Sequence, residues 1–198
     1  MTDTIHENRA SYPVITLSLM LSQFLSGFPV MLLSLFIADI AQLFQLEIGV
    51  IGFVRSVAEV GSVIMGLLLG GLSVRYHQRS LLLVGIAIMC VSTLALGFIA
   101  VFPLFIVLFA CFGLSRVMLR SMSTALIGHF FTVDQRPKVA AYLTAGMAVA
   151  YTVGSVLAAQ SIDFRSVSLL VLFPLSSIAL VLVWKGMPVR GSLVQQNP

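Results

Sequence analysis

Apolar residues fill the chain in long runs broken by short polar links. Six runs approach or exceed the roughly 20 residues that a helix needs to cross the hydrocarbon core. They are Val14–Ala38, Ile48–Val74, Leu81–Val101, Leu104–Phe131, Val139–Ala159 and Val167–Trp184. Inside lipid every backbone N–H and C=O must be satisfied within its own segment, so the runs predict helices rather than open strands. The pattern predicts a six-helix transmembrane domain over residues 14–186. Polar residues 1–13 are expected to form a tail before it, and residues 187–198 a flexible tail after it. The polar start, followed by a first run too long for a signal-peptide core, reads as a retained first helix.

Composition agrees with this pattern. The sequence is 59% hydrophobic and 9% charged, with a mean hydropathy of +1.09. Soluble domains carry about 25% charged residues, so a soluble protein is excluded. The net charge of +4 does not point to nucleic acid, because the bases are spread between the spans. Their distribution sets orientation instead. Arg9, Arg75, Arg79, Arg136, Lys138, Lys185 and Arg190 flank one side, and only Arg165 the other. Both termini are therefore expected in the cytoplasm, as in a multi-pass protein of a bacterial or archaeal cytoplasmic membrane.

Cys90 and Cys111 lie inside apolar runs and offer neither a disulfide framework nor metal spacing. No cofactor is expected. There is no H-E-x-x-H pair and no G-x-S-G helix, since Ser62 and Ser155 both sit in V-G-S-V. An intramembrane enzyme is not supported.

Four ionisable residues break the apolar pattern. Arg55 and Glu59 fall in the second span, and Arg116 and Arg120 in the fourth. Each pair is spaced i, i+4 and shares a helix face. A charge at mid-membrane costs about 3 kcal/mol on insertion scales, so such residues face a protein interior or a wet cavity. Counting inward, Glu59 and Arg116 reach similar depth. Glu59 has two possible partners, Arg55 on its own helix and Arg116 across helices. Three positive charges against one negative leave +2, for which a bound anion is a natural counter-charge. A static network holding the helices together is the other reading. Gln23, with Ser26, Gly27 and Pro29, gives the first span a polar stripe and a place to kink. The charged helices are expected to line an interior, and the uncharged third and sixth spans to face lipid.

Small residues recur every fourth position: Ser62, Gly66 and Gly70 in the second span, and Gly146, Ala150, Gly154 and Ala158 in the fifth. Such stripes let helices approach closely, either within this unit or against a second one. Val60–Val63 repeats as Val153–Val156, an echo that fits three spans repeated with inverted topology.

The link after the second span reads Gly70-Gly71-Leu72-Ser73-Val74-Arg75-Tyr76-His77-Gln78-Arg79. It resembles the G-x-L-x-D-R-x-G-x-R loop of the major facilitator superfamily at Gly70, Leu72, Arg75 and Arg79. Val74 replaces the acid and His77 the second glycine. The link after the fourth span, Phe131 to Ala140 with Arg136, is similar to the corresponding later loop. The superfamily's R-x-x-Q-G and G-P signatures in the fourth and fifth spans are absent, which weakens a drug–proton antiporter reading. The resemblance implies one half of a twelve-helix transporter, with a 3+3 inverted repeat. It also implies that Gly70, Arg75, Arg79 and Arg136 belong to conformational loops.

The expected function is alternating-access transport of a small anionic solute, bound by Arg55, Glu59, Arg116, Arg120 and Gln23. A homodimer or a complementary six-helix half would enclose those charges. Ser62, Gly66, Gly70, Gly146, Ala150 and Gly154 would then form the interface. The alternative is a non-transporting regulatory or assembly protein built from a half-transporter. The lipid bilayer, the solute and the second half are the expected partners, and nucleic acid is not.

Overall fold

A computed structural model describes residues 3–99, 101–160 and 163–186, the first ten of them as backbone. The flexible tail expected over 187–198 lies outside the described residues, as do residues 1–2. The described chain is helical, without strands. The helices are α1 (Asp3–Leu35), α2 (Ile37–Phe44), α3 (Ile48–Arg75), α4 (Gln78–Phe98), α5 (Phe102–Phe130), α6 (Arg136–Ala159), α7 (Phe164–Val167) and α8 (Phe173–Gly186). A π-helical turn, Ser168–Leu172, joins α7 to α8. Six stretches are long and apolar enough to cross a membrane, and the last runs continuously over Phe164–Gly186.

Several boundaries differ from the hydropathy pattern for local reasons. The backbone of residues 3–12, read as a tail, continues α1. The chain bends at Phe36 and forms α2, where a link was expected. That helix buries Ile40 and Ala41 and stops at Gln45, which takes the left-handed conformation (φ 54°, ψ 42°) and donates its N–H to the carbonyls of Ala41 and Gln42. The π turn has a chemical cause. Pro174 has no N–H to give the carbonyl four residues back, and the Phe173 N–H reaches five back to Ser168.

α1 packs against α6, α3 against α5, α4 against α5 and α8, and α1 against α5 and α8. Close approach is built from small residues. A Cβ at Gly146 would sit 2.6 Å from the Met20 carbonyl oxygen, and one at Gly113 would strike the Ala58 carbonyl. Buried hydroxyls tie helices together: Ser62 Oγ donates to the Gly113 carbonyl at 3.0 Å and Ser168 Oγ to the Thr93 carbonyl at 3.1 Å.

The small-residue stripes correct one expectation. Ser62 faces α5, while Gly146, Ala150 and Gly154 face Met20, Gly27 and Met31 of α1. All four are buried inside the unit, so they are not available to an interface with a second one. Gly66 and Gly70 are exposed. The surface of α6 that does face outward carries Ala145, Ala148, Thr152 and Ser155.

Burial follows the expectation for one pair of spans and not for the other. Of the most apolar stretch of each span, 39% is buried in charged α5 against 33% in uncharged Phe164–Gly186, but only 22% in charged α3 against 50% in uncharged α4; α6 has 28% and α1 61%. The interior that α3 lines is not enclosed by six helices alone.

Candidate functional site

The helix rotations that bury α3 on α5 bring all four membrane-embedded charges to one cleft. It is about 180 Å³ in volume, and Arg55, Glu59, Arg116, Arg120, Ser26 and Tyr151 line it together with Gly27, Val30 and Met147. The choice left open by sequence is resolved in favour of Arg116. Its Nη1 donates to Glu59 Oε1 at 2.9 Å and its Nη2 to Oε2 at 3.1 Å. This is a two-pronged guanidinium–carboxylate pair, the geometry that makes such contacts strongest. Its side chains are 24% and 44% exposed, so water reaches it from the cleft. On the other side Phe109 and Phe112 close over it, and the gap left there is about 10 Å³, no more than one water.

The other two arginines are not neutralised in this way. Arg55 Nη1 donates to the Ser34 hydroxyl at 3.3 Å. Among the described residues, no carboxylate lies within ion-pair distance of Arg55 or Arg120, and both are exposed. Among the described residues, the cleft therefore contains one neutral pair and two positive charges without a carboxylate partner.

Gln23 does not line this cleft. It is buried, 5% exposed, and its Nε2 donates to the Arg120 carbonyl at 3.4 Å. It lines a second cleft of about 280 Å³ with Arg120, Thr124, Ile127, Ala140, Leu143, Thr144 and Met147. Arg120 and Met147 belong to both clefts, which follow one another along α5 and α6.

The loop residues divide by role. Arg79 Nη2 donates to the Trp184 carbonyl at 2.6 Å. Arg136 donates to the carbonyls of Phe131, at 3.2 Å, and Gly128, at 3.0 Å. Each donates to a carbonyl at a helix C-terminus, where a cation is also favoured by the helix dipole. Arg165 does the same for Ile99 at the opposite end of the bundle, at 2.6 Å. Arg75 is exposed, and nothing lies within 4 Å of a Cβ at Gly70.

Tyr151 was missed by sequence reasoning. The signal was present: Thr144, Tyr151 and Ser155 follow at intervals of seven and four, one polar face of α6. No group of His, Cys, Asp and Glu suited to a metal occurs among the described residues.

The model of one protein family, the Major Facilitator Superfamily, matches residues 19–196. No curated protein matches the chain. The match covers nearly the whole sequence, so the chain belongs to this superfamily of membrane transporters.

Proposed function

We propose that this superfamily member moves a small organic anion across the membrane by alternating access, and that it works as half of a cavity. The observation that carries the reading is the cleft of four charges, in which Arg55 and Arg120 have no carboxylate while Arg116 is held by Glu59. A free guanidinium beside an aqueous cleft at membrane depth is costly unless an anion occupies it. The cleft volume corresponds to roughly six water molecules, enough for a solute of about eight to ten heavy atoms.

The second half is proposed to be another copy of this chain, related by a two-fold axis along the membrane normal. The two least buried spans, α3 and α6, flank the charged cleft, and covering them removes the exposure of the charges to lipid. The packing also supports the 3+3 inverted repeat. Exchanging the first three spans with the last three turns the α1–α6 contact into α5–α3, and α4–α5 into α8–α1, and all four contacts exist. The basic end of the bundle, with Arg75, Arg79, Arg136, Lys138 and Lys185, is proposed as the cytoplasmic one. Gly70 and the arginines beside it would be where the links adjust as the halves rock.

The test is uptake of labelled small organic anions into proteoliposomes. Wild type is expected to accumulate at least one of them, and Arg116→Ala and Glu59→Gln are expected to abolish uptake while remaining folded. Normal uptake by both variants would remove the cleft from the mechanism. A protein that binds no anion and moves none would favour the regulatory or assembly reading.

A further inference from the structure

We infer that the cleft selects a short dicarboxylate, which lies along the bundle axis with one carboxylate on Arg55 and the other on Arg120. This rests on the anion-site reading above and makes it specific.

The charges in the cleft are unequally spent. Both prongs of Arg116 are taken up by Glu59, so the middle of the cleft is close to neutral. The two unneutralised guanidinium groups lie on either side of that middle. Arg55 is four residues before Glu59 on α3, and Arg120 four residues after Arg116 on α5. Both helices run in the same sense through the bundle, so the offsets add. The α3–α5 contacts put Gly113 level with Ala58 and Ser62, so the Arg116 backbone itself stands about four residues further along than Glu59, and at 1.5 Å per residue the Arg55 and Arg120 backbones are about 18 Å apart along the axis.

A monocarboxylate satisfies one guanidinium and leaves the other bare. An inorganic anion such as sulfate carries both charges on one centre and cannot reach both. Two carboxylates joined by a short methylene chain satisfy both forks, since each guanidinium can take one carboxylate in two-pronged fashion. With the arginine side chains extending toward the solute, the fitting chain has about four to six carbons in total. Its methylenes would cross the neutral pair beside Val30 and Met147, which line the same cleft. Tyr151 offers a hydroxyl there, and so accommodates a substituent on the chain. Each copy of the protein neutralises its own two arginines with one dianion, so the expected stoichiometry is one per chain.

The experiment is calorimetric titration of the full chain in nanodiscs. The probes are the straight α,ω-dicarboxylates from malonate to suberate, with butyrate and sulfate as single-centre anions. Affinity is expected to peak between succinate and adipate, about tenfold or more above butyrate, because a second charged contact is added. Arg55→Gln and Arg120→Gln should each bring the best dicarboxylate down to the butyrate level, with butyrate still binding and the unfolding temperature unchanged. Equal binding of butyrate and the dicarboxylates, still lost in Arg116→Ala, would overturn the two-point arrangement and leave the anion site standing. Absence of binding by every carboxylate and by sulfate would overturn both.

Discussion

At the level of single residues, the decisive feature is unequal neutralisation among four similar charges. Depth in an apolar run and i, i+4 spacing identified all four from sequence, because a charge in lipid is costly enough to demand a reason. Which arginine Glu59 takes was not legible, since it depends on how α3 and α5 are rotated against each other. Gln23 was legible as polar but not as bound to the Arg120 backbone, and Tyr151 was hidden by its ordinary place in an apolar helix. Glu59→Gln is expected to lower stability by about 1–2 kcal/mol, less than a fully buried pair because water reaches this one. The double variant Glu59→Gln/Arg116→Gln should cost clearly less than the sum of the two single changes. Thermal unfolding in nanodiscs reads both, and additive losses would mean that the two side chains do not act as a pair.

At the level of elements, the six spans were legible because lipid leaves the backbone few options. α2 was not, since most of it falls between two long apolar runs, after Ala38 and before Ile48, and read as a link. The direction of the small-residue stripes was also hidden. A four-residue period marks a face of a helix but does not say what that face meets, and here Gly146, Ala150 and Gly154 meet α1. Gly113→Ala and Gly146→Ala should therefore each destabilise by about 1–3 kcal/mol through overpacking. Gly70→Ala, at a position with open space, should be neutral or slightly stabilising. Equal effects at all three positions would contradict the packing. Gln45→Gly should raise stability by about 1 kcal/mol, because the left-handed conformation at the end of α2 is costly for a residue with a Cβ. Thermal unfolding serves here as well, and an unchanged midpoint would mean that the turn is not strained.

At the level of the whole molecule, superfamily membership was legible in the links after the second and fourth spans. The unequal enclosure of the spans was not, because the sequence shows which helices are charged but not which are left uncovered. α3 and α6 border the charges yet remain the least buried. The proposed cavity, completed by two six-helix units, would cover both. The most direct test mixes wild type with Arg116→Ala in known ratios before reconstitution and measures uptake of the anion that wild type transports. A cavity built from two copies, each contributing its Arg116, predicts that uptake falls as the square of the wild-type fraction. Uptake that falls in simple proportion to that fraction would mean that each chain transports without a second copy's cleft, and would contradict the account.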